Sequence, residues 1–232
     1  MLPRITDIND NSNITKQLSR TSDRIKLIPC KCVKNINPQR PNALKRFKHI
    51  AVSTIKKASR GKEYDSILVL CIGSASALYR ADNLGPLIGC ILKQKPQIEG
   101  VYVYGTMENP LHAKNLKKEV EQIYKMHEKP FVIGVDLSVS KVRLKLGLTR
   151  FRLGQLKPGE GIDKELPALG DVCATATLIY QHKQDTIEDI FRKMFCIDKD
   201  IVKQTAEFMA NGIYEALQEV ITQGVILVEN RK

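Results

Sequence analysis

Ser66-Ile-Leu-Val-Leu-Cys-Ile72 is an apolar run that stops at Gly73. A strand covered on one face alternates apolar and polar residues. An unbroken run needs cover on both faces, which is the condition of a strand inside a parallel sheet. Two further segments have the same character. Val101-Tyr-Val-Tyr104 is closed by Gly105, and Phe131-Val-Ile-Gly-Val135 delivers Asp136 at its end. Helical spacing fills the intervals. Leu84, Leu87, Ile88, Ile91 and Leu92 recur within residues 83–93. Asn109 as cap and Pro110 in the first turn open a second helix that runs to about His127. Strand, helix, strand, helix, strand requires crossover connections, and therefore a parallel sheet core.

Outward from this core the pattern changes. Leu146 to Leu153 alternates apolar and polar residues and reads as a more exposed, antiparallel strand. Gln155 to Pro167 is a Gly/Pro loop, Val172 to Tyr180 another strand, and residues 186–195 and 199–222 are helices. Upstream, Leu44, Phe47, Ile50, Ala51 and Ile55 share one face of a helix over 42–59, with Asn42 placed to cap it. The expected class is α/β. The expected division is a basic arm over 1–60, ending in the amphipathic helix 42–59, and a single α/β domain over 61–232.

Charge supports that division. The chain of 232 residues has a formal net charge of +12. Residues 1–60 hold 14 Lys and Arg against 3 Asp and Glu, which leaves 23 against 22 for the remainder. A basic arm can lie along nucleic acid or another acidic surface, or simply stay solvated. No apolar run approaches the ~18 residues of a membrane-spanning helix. Met1 to Thr15 lacks the apolar segment of a secretory signal, so the expectation is a cytoplasmic protein. Six cysteines occur, and Cys30 and Cys32 form a C-x-C without the second pair that a zinc site requires. Reduced thiols fit that compartment.

Ligands of open α/β sheets gather outside the carboxyl ends of the strands. Asp82 lies in the loop after the first core strand, and Asp136 ends the third. If these strands are neighbours, the two carboxylates meet across a crevice. A close pair does not carry two full charges cheaply. Either one keeps a proton, giving a general acid beside a general base, or both hold a divalent cation. Each has a plainer reading too: a helix N-cap for Asp82, a turn residue for Asp136. His112 and the nearby Glu108 lie close to the same edge and are candidate accessory residues. No G-x-G-x-x-G, P-loop or G-x-S-x-G pattern occurs, which weakens nucleotide and serine-hydrolase readings.

Five segments then fall in a telling order: Asp82-Asn-Leu-Gly-Pro86, Tyr104-Gly-Thr-Met-Glu-Asn-Pro-Leu-His-Ala-Lys-Asn115, Val135-Asp136, Leu156-Lys-Pro-Gly-Glu-Gly161 and Leu166-Pro-Ala-Leu-Gly-Asp171. The set resembles the YyaC-type sporulation proteins of spore-forming Firmicutes. These are similar in turn to the germination protease that degrades small acid-soluble spore proteins. The resemblance covers about residues 65–180. It implies a three-layer α/β/α sandwich of the phosphorylase/hydrolase-like kind, shared with hydrogenase-maturation endopeptidases. It also implies an atypical aspartic endopeptidase of the forespore or spore core, acting on small spore proteins. Asp82 and Asp136 match its two catalytic aspartates, and Asp171 joins His112 and Glu108 as accessory. In the maturation peptidases similar acidic positions hold a metal together with a histidine, so a divalent metal at Asp82 and Asp136 is a further expectation, though no histidine here matches that ligand. The loop Ile72 to Asp82 is longer than in those relatives and lacks an acidic residue of theirs. A catalytically inactive spore protein that binds DNA or DNA-coating proteins through residues 1–60 is therefore the alternative.

Overall fold

A computed structural model describes residues 35–78, 80–160 and 166–226. Residues 34–232 group as one compact unit. Six strands form one sheet: β1 (Asn35–Ile36), β2 (Ser66–Cys71), β3 (Val101–Tyr104), β4 (Pro130–Ser140), β5 (Thr149–Leu153) and β6 (Val172–Tyr180). Their order across the sheet is β1-β5-β6-β4-β2-β3. β3, β2, β4 and β6 are mutually parallel, and β5 and β1 add an antiparallel edge. The mixed α/β architecture expected from the apolar runs is the one observed.

Every residue of β2 is buried, as its unbroken apolar run requires. Ile67, Val69 and Cys71 face one layer, and Leu68, Leu70 and Ile72 face the other. The first layer contains α1 (Ala43–Ser59), α2 (Leu84–Gln94) and α5 (Lys199–Thr222). The second contains α3 (Leu116–Met126), through Leu116, Val120 and Ile123, and the segment bearing Leu156 and Leu169. α4 (Ile187–Cys196) packs against β6 and the short 3-10 turn Arg80–Asn83. Thr186 starts α4 with a reciprocal capping box to Asp189, which satisfies amides that would otherwise lack partners. No helix among the described residues is long and apolar enough to cross a membrane.

Three boundaries differ from the sequence expectation. α1 belongs to the body, not to an arm. Phe47 is fully buried, packs edge-on against Phe151 and Phe208, and fills the space left by Gly212. β1 also pairs with β5, so the compact unit begins near residue 34 rather than 61. Of the positive excess in residues 1–60, the seven basic residues after Lys34, with no acidic residue among them, sit on this body. The remaining arm, with Cys30 and Cys32, lies outside the described residues. Asn42 is no side-chain cap. It sits in the left-handed region at φ 59° and only its carbonyl accepts, from Arg46.

α3 starts at Leu116, not at Asn109. The Asn109-Pro110 signal is spent on a loop. Asn109 N–H donates to Thr106 Oγ1, and the Asn115 side chain takes the His112 amide while donating to the Pro110 carbonyl. The third correction concerns Asp136. β4 does not end there but continues four residues further, to Ser140, because β6 keeps pairing with it.

Candidate active site

The β2–β4 ladder runs from Ser66 opposite Pro130 to Cys71 opposite Val135. The Ile72 amide closes it with a 2.7 Å bond to the Val135 carbonyl. Gly73 then turns away and donates to the Leu111 carbonyl on the β3 side. β4 meanwhile continues alongside β6. The two chains diverge, and a crevice opens at their parting. It is also the point where the connections reverse direction. From β2 the chain goes outward to β3, then crosses back over β2 to β4. Switch points of this kind are where open α/β sheets bind ligands.

Asp136 is the first β4 residue beyond the end of β2, and Asp82 returns to the same place from the loop. Both line one cavity of about 540 Å³. Asp82 is held by the loop's own bonds. Ser74 N–H lies 3.0 Å from Asp82 Oδ2 and 3.1 Å from its backbone carbonyl, and Ser76 N–H donates to Asn83 Oδ1 at 3.1 Å. The residue at the N-cap of α2 is Asn83, whose side chain makes no capping bond to the helix, so Asp82 is not that helix's N-cap. Two glycines allow this packing. A Cβ on Gly73, at φ +148°, would lie 2.1 Å from the Asp82 carbonyl oxygen, and one on Gly85 1.9 Å from that of Ile72.

Asp136 is 9% exposed and receives the Leu137 amide on Oδ1 at 2.7 Å. Burial pushes its carboxyl well above the usual carboxylate range. The negative charge of Asp82 pushes the same way, and the Leu137 bond opposes both. Of the pair, Asp136 is therefore the member that holds a proton more tightly than an ordinary aspartate does.

The accessory candidates sit elsewhere, and none lines the cavity. Glu108 is exposed, and Cys90 Sγ approaches its Oε2 at 3.6 Å. His112 Nδ1 accepts the Lys114 amide at 3.2 Å. Asp171 precedes β6, where its Oδ2 takes the Val132 amide and its own amide bonds the Val132 carbonyl. It prolongs the β4–β6 ladder by one step, about 13 Å along β4 from Asp136 at ~3.3 Å per residue. Metal sites made by protein side chains gather at least three donors. Asp82 and Asp136 supply two, and among the described residues no group of three His, Cys, Asp or Glu could hold an ion. The closed, all-side-chain site of a structural zinc is therefore not formed among the described residues.

Among the cavity residues that escaped the sequence reading are Arg150 and Arg152 on β5. Their signal was present in Thr149-Arg-Phe-Arg-Leu153, where Thr149 and Phe151 point into the core and the arginines to the other face. Only the strand register shows that this other face is the site.

These features define a class: an α/β protein with two aspartates, one of them buried, lining a cavity at the switch point of its sheet. Comparison places it further. Residues 35–212 match the family described as "Protein of unknown function (DUF1256)", and the chain belongs to that family. Over 130 residues it is 42% identical to "Uncharacterized protein YyaC" of Bacillus subtilis (strain 168). That match covers 56% of this chain and 60% of the relative's length. Among solved structures it is similar to a [NiFe] hydrogenase maturation protease, HycI from Thermococcus kodakarensis KOD1. The TM-score is 0.39 and the identity 15%, over 69% of this chain and 98% of that one.

Proposed function

We propose that this protein is an endopeptidase that hydrolyses peptide bonds with an aspartate pair, and that its substrates are small acid-soluble spore proteins. The observation that supports this most is the shared cavity: Asp136, buried and with a raised affinity for its proton, opens onto the same space as Asp82. Such a pair has an acid and a base ready together. Asp82 takes a proton from a water whose oxygen adds to the scissile carbonyl carbon. Asp136 gives its proton to the carbonyl oxygen, so that a neutral gem-diol forms. On collapse the protonated Asp82 gives its proton to the leaving nitrogen, the C–N bond breaks, and one diol hydroxyl returns a proton to Asp136. Acid and amine leave, and the pair is restored. The sporulation setting and the choice of substrate rest on the resemblance of the five ordered segments.

The test is to incubate the wild type, Asp82→Asn and Asp136→Asn with a panel of small acid-soluble spore proteins and follow fragments by mass spectrometry. The expected result is cleavage by the wild type alone. Equal, nonzero cleavage by Asp136→Asn removes the dyad, and no cleavage by the wild type removes the enzyme.

A further inference from the structure

Register puts four residues in one row across the sheet. Asp136 on β4 is opposite Thr175 on β6, Thr175 opposite Arg150 on β5, and Arg150 opposite Asn35 on β1. Residues directly opposite one another share a face. All four line the cavity. Its acid–base end is thus followed, across the strands, by a basic end. Five cations line the cavity (Lys141, Lys145, Arg150, Arg152 and Lys157) against Asp82, Asp136 and Glu160. Five against three leaves the balance positive.

The two arginines differ. Arg152 is committed to the chain: its Nη1 donates to the Leu153 carbonyl at 3.3 Å and its Nη2 to that of Gln155 at 3.0 Å. The Arg150 guanidinium is exposed and makes no ion pair or hydrogen bond among the described residues. A planar guanidinium is suited to a carboxylate, which it takes bidentately. Neighbouring strands are about 4.8 Å apart, so Arg150 stands about 10 Å from Asp136 along the row. An extended peptide rises ~3.3 Å per residue, which brings a side chain two or three residues from the attacked bond to the basic end.

We infer that Arg150 is a specificity-determining residue, which reads an acidic side chain of the peptide two or three residues from the bond held at Asp82 and Asp136. The inference rests on the endopeptidase reading for its substrate, but its test does not need turnover. Dye-labelled twelve-residue peptides, one glutamate-rich and its glutamine and lysine counterparts, are titrated by fluorescence anisotropy against full-length Asp136→Asn. Asparagine is similar in shape, cannot donate or accept the proton the reaction needs, and so prevents cleavage. A single-stranded oligodeoxynucleotide of matching charge is the fourth probe.

The glutamate peptide is expected to bind at least about tenfold more tightly than the glutamine peptide. Adding Arg150→Glu removes that preference, Arg150→Lys keeps part of it, and Lys57→Glu on the exposed face of α1 leaves it unchanged. Equal binding of the glutamate and glutamine peptides overturns the inference. So does an equal loss with Lys57→Glu, or Arg150-dependent binding of the oligonucleotide alone. Acidic-peptide binding without any wild-type cleavage retains the subsite and discards the peptidase. Cleavage of neutral and acidic peptides alike, unchanged by Arg150→Glu, retains the peptidase and discards the subsite.

Discussion

Asp136 stands one residue past the last β2–β4 pair, and Asp82 is carried back to it by the loop that leaves β2. Two side chains 54 positions apart in sequence thereby share one cavity. The pairing of β2 with β4 places one, and the Ser74 amide fixes the other.

The raised affinity of Asp136 for its proton has a consequence for stability. An unfolded aspartate titrates near pH ~3.9. The folded one titrates higher, so the native state binds more protons in the interval between them. Stability from this group is fully present below the unfolded value and is lost as pH rises through the folded one. Asp136→Asn cannot lose it. Urea denaturation from about pH 4 upward is expected to show Asp136→Asn gaining on the wild type as pH increases, then running parallel. A constant difference at all pH values would mean that Asp136 titrates normally.

The loop that carries Asp82 depends on the absence of a side chain at Gly73. Gly73→Ala puts a methyl 2.1 Å from the Asp82 carbonyl oxygen and 2.8 Å from Pro86 Cδ. Gly61→Ala is the control, because Gly61 also has a positive φ, +70°, but nothing within 4 Å of an added Cβ. That control is expected to cost about 1–2 kcal/mol. Gly73→Ala should cost more than the control by urea denaturation, and should reduce cleavage at least about tenfold where the protein still folds. Equal effects of the two would show that the Gly73 contact does not set the loop.

α1 tests the revised domain boundary. If it is part of the body, Phe47→Ala should destabilise the whole unit by about 3–5 kcal/mol, the usual cost of emptying a buried aromatic site. A single cooperative transition, shifted to lower urea, is the expected observation. A variant with unchanged global stability and a separately melting helix would restore the arm expected from the charge distribution.

Much of the sheet was legible because burial on both faces leaves a blunt mark. Val172–Tyr180 appears with the bounds its pattern suggested; so do the helix Lys199–Thr222 and Val101–Tyr104, although the latter is an edge strand with no residue fully buried. What failed was information carried by partners. Nothing local in Phe131-Val-Ile-Gly-Val135 says that β6 will hold β4 in strand conformation to Ser140. Nothing local in Asn109-Pro110 says that Thr106 will take the Asn109 amide and Asn115 the Pro110 carbonyl to close a loop. Asp82 and Asp136 were visible as carboxylates after apolar runs, a short-range signal. Arg150 was not, because its relation to Asp136 passes through two strand pairings and becomes apparent only with the register.

The charge of Asp82 is one cause of the raised proton affinity of Asp136, and carbon-13 NMR of the side-chain carboxyls can follow Asp136 through a pH series. In the wild type, Asp136 should keep its proton well above the ordinary aspartate range of about 3.9. In Asp82→Asn its titration should move down, since a neighbouring charge has been removed, yet stay raised, since burial remains. An Asp136 signal that titrates near the ordinary value, or one indifferent to Asp82→Asn, would contradict the pairing on which the proposed chemistry rests.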